Sequence, residues 1–203
     1  MNLNLKRINL TFDYITVAFV CSAVIISRDS RFIIALLSTV AHEAGHIFVM
    51  LRLGNDNVDV EINLFNIAIH DKLRNIRPYK ADIAVICAGP LVNLILSLIF
   101  WIFYVSFNSV YLYNCAMLNF VLGMFNLLPI ESTDGGQILY ILLSRKFSVA
   151  AAKRVVTLFS AVMIIPIAFI GFCILLDSMY NYTLLFAALY LAMLVLMKKS
   201  KYV

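Results

Sequence analysis

The chain has 203 residues, 63% of them apolar and 13% charged, with a mean hydropathy of +0.94 and a formal net charge of +5. A soluble domain is nearer half apolar and a quarter charged, so this composition excludes an ordinary globular enzyme. It indicates an integral membrane protein with room for about six spans. The basic residues stand in short clusters between apolar runs, which points to membrane topology and away from nucleic acid. Cys21, Cys87, Cys115 and Cys173 lie in apolar stretches without a CxxC pair and read as small buried apolar residues.

In chain order, Met1 to Arg7 followed by an apolar run from Ile8 has the look of a signal peptide. Because more spans follow, it reads instead as the start of an uncleaved first span, Phe12 to Ser27. The second span, Phe32 to Leu53, is closed by Gly54, a usual helix stop. It carries His42-Glu43-Ala44-Gly45-His46. Residues four apart share a helix face, so His42 and His46 can turn two imidazoles to one metal ion. Glu43, one step round the helix, reaches a water at that metal and is expected to act as the general base.

The one long polar connection, Asn55 to Lys80, contains Val58, Val60, Ile62 and Leu64 alternating with Asp59, Glu61 and Asn63. Period two with β-branched residues predicts a strand, and Phe65 to Ile69 its hairpin partner. A third span follows at about Ala81 to Val105, with Gly89-Pro90 and Asn93 inside it. The fourth begins near Val110 and breaks at Pro129, before Glu131-Ser132-Thr133-Asp134-Gly135-Gly136, and helix resumes over Gln137 to Leu143. Broken backbone at membrane depth is tolerated only where it lines a cavity or packs on protein, so the break marks an interior site. Spans five and six fall at about Val155 to Leu176 and Asn181 to Met197. The expected fold is therefore an all-α integral membrane protein, about six transmembrane helices with a short β-hairpin between spans two and three. It reads as a single polytopic domain with its catalytic core at about 32–144.

Six spans put both termini on one side, with the 52–80 and 144–154 connections. That side collects Lys6, Arg7, Arg52, Lys72, Arg74, Arg77, Lys80, Arg145, Lys146, Lys153, Arg154, Lys198, Lys199 and Lys201, against Arg28 and Arg31 on the other. The bias predicts cytoplasmic termini, with the Lys198 to Lys201 cluster an interfacial anchor. His46 then lies roughly 10 Å from the cytoplasmic end of its span, and Asp134 falls at similar depth.

A catalytic zinc usually takes three protein ligands and keeps one position open. The candidates for the third are His70, Asp82, Glu131, Asp134 and Asp177. His70 reads as a solvated imidazole, and Asp82 and Asp177 as interfacial charges at span ends. Asp134, beside the break and two glycines, is favoured as a ligand over a simple helix cap, with Glu131 the runner-up.

Three motifs in order, HEAGH on a membrane helix, then Ala88-Gly89-Pro90-Leu91-Val92-Asn93, then Asn126-Leu127-Leu128-Pro129 leading to Asp134-Gly135-Gly136, resemble the site-2 protease family of intramembrane zinc metalloproteases. The similarity covers about residues 32–144. It implies one Zn2+ per chain held by His42, His46 and Asp134, Glu43 as acid/base, and a substrate-positioning role for the segment from Asn126 to Pro129. Asn93 joins Asn126 as a candidate for stabilising the oxyanion, or serves as an interhelical hydrogen bond. Glu131-Ser132-Thr133 stands where many members carry a proline-rich stretch. The compact form most resembles the sporulation-type branch.

The resemblance implies hydrolysis of a membrane-embedded or membrane-associated protein near the cytoplasmic face of a bacterial plasma membrane, in regulated intramembrane proteolysis. Its partners are then a membrane protein substrate, the bilayer and a regulatory membrane protein, with no nucleic acid. The alternative is a catalytically silent membrane protein that binds and regulates a transmembrane partner, for which an intact Glu43 has no use. A metal transporter would want polar residues along several spans, and spans one, five and six offer few. A prenyl-protein endopeptidase shares HExxH but would draw its carboxylate from another helical motif.

Overall fold

The computed structural model describes residues 2–5, 7–27, 30–55, 58–63, 66–71, 73–74, 76–178 and 183–197. Lys6, Arg28, Lys72, the cluster Lys198 to Lys201 and the side chain of Asp177, all used in the charge and ligand expectations, lie outside the described residues. The chain forms two compact units, Met1–Met124 and Phe125–Val203, each taken by itself below.

The first unit opens with two strands, β1 (Asn2–Leu5) and β2 (Ile8–Phe12), where the sequence led us to expect the start of a membrane helix. The reason is visible in the residues: Leu3, Leu5, Ile8 and Leu10 alternate with Asn2, Asn4, Asn9 and Thr11. That is the same period-two pattern as in the later hairpin, here running straight into an apolar helix. Helix α1 (Tyr14–Ser27) and helix α2 (Ser30–Arg52) follow, then β3 (Val58–Asn63) and β4 (Asn66–His70). The predicted hairpin forms, with Val60 opposite Ile69, but it is only half of a four-stranded sheet ordered β1-β2-β3-β4. Strand β2 runs parallel to β3, Leu10 opposite Val60, so α1 and α2 together form the crossover between two parallel neighbours. Parallel neighbours need such a crossover, because a tight turn cannot join them.

Met50, Val58, Val60 and Val85 make a buried core under the sheet, flanked by Ile8, Leu10 and Ile69. Asn9 Nδ2 donates to Asp59 Oδ1 at 2.7 Å, tying β2 to β3 by side chains as well as backbone. Beyond β4 the chain is locked by a charge network: the Arg77 guanidinium contacts Asp71 and, at 3.0 Å, Asp82. Asn55 also donates to Asp71, at 2.8 Å. Asp82, considered above as a ligand, is thus committed to an arginine.

Helix α3 (Tyr79–Phe107) and helix α4 (Val110–Asn126) complete this unit, the last turn of α4 running into the next. Between them Asn108 turns the chain in the left-handed region at φ 48°. Where lipid surrounds the helices, apolar burial does not drive their association, and small residues that let backbones approach do. Gly45 is such a point: a Cβ there would meet the Ala88 carbonyl oxygen and Val92 Cγ2 of α3 at 2.9 Å. Ser97 adds an interhelical hydrogen bond to the Ala116 carbonyl of α4 at 2.8 Å.

The second unit contains α5 (Asp134–Ser144), α6 (Val149–Ser178) and α7 (Thr183–Met197). Ile130, Ile164 and Leu191 form its core. Gly171 of α6 lies so close to α7 that a Cβ would stand 2.7 Å from the Leu185 backbone nitrogen. Of the helices, α2, α3 and α6 are long and apolar enough to cross a membrane, in line with an integral membrane protein. Over their described residues α1, α4 and α7, at 14, 17 and 15, are shorter than the 18–20 expected for a full span.

Candidate metal centre

The pentapeptide lies in the middle of α2, an uninterrupted helix of 23 residues, and its 3.6-residue period does what the spacing predicts. His42, His46 and Met50 are buried on one face, while Ala44 and Phe48 are exposed. The imidazole Nε2 atoms of His42 and His46 stand 3.2 Å apart. Two nitrogens each about 2.05 Å from one tetrahedral ion would be about 3.3 Å apart, so the spacing fits a shared metal.

What faces the other side of each ring matters as much. His46 Nδ1 lies 2.7 Å from the backbone carbonyl of Val85 on α3. A carbonyl only accepts, so His46 carries its proton on Nδ1 and leaves the Nε2 lone pair bare. His42 Nδ1 lies 3.2 Å from the amide nitrogen of Asn93, also on α3 and fully buried. Asn93, expected either to aid the oxyanion or to bridge helices, therefore bridges helices by touching a candidate ligand. Glu43, half-buried, follows His42 in the chain.

The space beside the two Nε2 atoms is kept open by Gly89. A Cβ at this position would overlap both imidazoles, closest to His46 Nε2. Pro90, next along, is fully buried and has no N–H to return to Ile86. Sequence reasoning counts Gly89 only as part of a motif and misses Val85 altogether. Gly-Pro early in a membrane span was the signal for the first, and a backbone carbonyl leaves none.

In the second unit, the break expected at Pro129 is present: α4 ends at Asn126 and α5 begins at Asp134. Helix resumes three residues earlier than the sequence suggested, so Asp134 is its first residue and Thr133 holds the N-cap position, in extended backbone. Thr133 does not cap α5 with its side chain. Its hydroxyl instead contacts the carbonyl oxygens of Leu128 at 2.6 Å and Ile130 at 2.9 Å, stitching the break into a tight loop. Gly135 and Gly136 are required there, because a Cβ on either would run into the carbonyls of Leu127 and Ile130. Asp134 is 9% exposed and stands in the first turn of α5.

Glu131 is 3% exposed and turned to α6: Thr157 Oγ1 donates to its Oε2 at 3.1 Å, and its backbone N–H donates to Ser160 Oγ at 2.8 Å. His70, on β4, is half-exposed and 3.4 Å from Glu61. Glu131, His70 and Asp82 thus each have a partner that accounts for them. Asn126 ends α4 at the start of the break and is half-buried.

Residues 107–168, from the end of α3 into α6, match the model of peptidase family M50. The chain is 32% identical over 133 residues to a zinc metalloprotease of Methanocaldococcus jannaschii, a match covering 61% of this chain and 37% of that protein. The chain thus matches little more than a third of the length of that curated relative. In structure it is similar to the site-2 protease from the same organism, with a TM-score of 0.67 at 24% identity over 98% of this chain and 95% of the other. The chain is thus similar in sequence to peptidase family M50 over residues 107–168, and it shares the fold of a site-2 protease.

Proposed function

We propose that this protein is an intramembrane zinc metalloendopeptidase that cleaves a membrane-embedded or membrane-associated protein near the cytoplasmic face. The observation that carries the reading is the pair of imidazoles whose Nε2 atoms stand 3.2 Å apart over Gly89, on a helix that also presents Glu43. His42 and His46 supply two ligands and Asp134 the third, so the 32–144 core acts as one catalytic domain. Asp134 is preferred to Glu131 because the latter is already engaged by Thr157. A zinc ion so held supplies Lewis-acid polarisation of the scissile carbonyl and a water that ionises near neutral pH.

Glu43 takes the proton of the attacking water and passes it to the leaving amine. Asn126, at the start of the break, is placed to hold substrate backbone. A peptide bond inside a helix is poorly exposed, so a substrate span has to unwind, and its freed backbone groups need partners. Strand β4, at one edge of the sheet, supplies them by strand addition. A proline at Ala68 should therefore slow cleavage; an unchanged rate removes the sheet from substrate binding.

The charge bias puts both termini on the cytoplasmic side, and the β2–β3 pairing supports the N-terminal part of that topology. The membrane is a bacterial plasma membrane in this reading, the substrate is a partner protein of that membrane, and the context is regulated intramembrane proteolysis with a regulatory membrane protein. The deciding measurement is zinc per protein molecule in detergent-purified wild type, His46→Ala, Asp134→Ala and Glu131→Ala. One zinc in wild type, lost in the first two variants and kept in the third, is the expected result. A wild type that holds no zinc when zinc is supplied ends the protease reading in favour of a silent partner-binding protein. Loss in Glu131→Ala with retention in Asp134→Ala keeps the enzyme and exchanges the third ligand.

A further inference from the structure

Asn93 is completely buried, its amide nitrogen is 3.2 Å from His42 Nδ1, and its Oδ1 is buried with no hydrogen-bond partner. A carboxamide presents a donor and an acceptor of nearly the same shape, so the group beside His42 Nδ1 can either give or take a proton. A ligating His42 needs a bare Nε2 and a protonated Nδ1 that must donate to an acceptor. Turning the Asn93 carboxamide by half a turn brings Oδ1 to the place now held by the amide nitrogen. It then accepts from His42 Nδ1–H, and the orphaned oxygen is satisfied.

We infer that Asn93 is a positioning residue for His42: its carboxamide oxygen accepts from His42 Nδ1–H and so presents a bare Nε2 to the metal. The Val85 carbonyl does the same for His46, so the two ligands are supported differently, His46 by backbone and His42 by a side chain. The inference rests on the metal reading of the His42–His46 pair and adds a residue to it.

The test is the affinity of detergent-purified protein for Zn2+, by competition with a chelator, in wild type, Asn93→Leu and Asn93→Asp. Leucine fills the volume and offers the ring nothing, so binding should weaken by about 10–100-fold. Aspartate accepts in either orientation, so it should hold at least wild-type affinity. Nitrogen-15 histidine spectra of the Asn93→Asp protein should show His42 protonated at Nδ1. Wild-type affinity in Asn93→Leu, or equal weakening in both variants, overturns the inference and leaves Asn93 as interhelical packing. A wild type without zinc overturns the metal reading itself, a result recognisably different from either.

Discussion

The helix pair α2–α3 and the break before α5 are both built to bury polar groups in an apolar protein, and they do it by opposite means. In α2 the backbone is regular and asks for nothing, so every demand comes from side chains, and a neighbouring helix meets them. Close approach is what makes that work: Gly45 lets α3 near enough for the Val85 carbonyl to reach His46. In the break the backbone itself is irregular and carries the unmet groups. There, side chains serve the backbone: Thr133 contacts two of its carbonyls and Ser160 takes the N–H of Glu131. Polar side chains on a regular helix are thus held by a partner helix, and the irregular backbone of the break by Thr133 within it and Ser160 of α6.

The comparison can be broken at graded cost. Glu43→Gln removes the proposed base and disturbs neither framework, so cleavage of a membrane substrate should fall by about 10²–10⁴-fold while bound zinc stays at wild-type level. A loss of zinc together with activity would make Glu43 part of the framework instead. Gly89→Ala attacks the helix pair where it is tightest. Its methyl group overlaps both imidazoles, so zinc should be lost, and overpacking should cost about 1–3 kcal/mol in thermal unfolding.

Thr133→Val attacks the break and keeps its volume. It strips the hydroxyl from two carbonyl contacts and should cost about 1–2 kcal/mol, read as a lowered unfolding midpoint, with wild-type helix content retained. If that variant is as stable as wild type, the break is held by the glycine packing alone. Last and smallest, His70→Ala removes an exposed pairing with Glu61, and stability should move by no more than about 0.5 kcal/mol with zinc content unchanged. A zinc loss here would return His70 to the ligand candidates.

Much of the site was legible because one helical turn brings i and i+4 together whatever surrounds them. His42, Glu43 and His46 needed only that rule and the apolar flanks of their span. The break before Asp134 was legible by composition, a proline followed by an acid and two glycines where helix has to stop. The hairpin at 58–70 was legible by alternation, and the same alternation at 2–12 was present but masked by an adjoining apolar helix. The outer helices were legible by hydropathy: the spans expected at Phe12 to Ser27 and Asn181 to Met197 fall on α1 and α7.

What the sequence by itself determined is the membrane class, the helix that carries HEAGH, the break before Asp134 and the residue types for metal chemistry. These are local matters, set by periodicity and backbone preference within a few residues. Only the tertiary structure decided that Val85 orients His46, that Asn93 faces His42 and that Glu131 belongs to Thr157. It also decided that β2 lies beside β3 across two intervening helices. Each of these joins residues 26 or more positions apart in the chain, between elements whose pairing no local pattern states. A hydrogen bond constrains a distance and an angle, and those exist only once the helices and strands have packed.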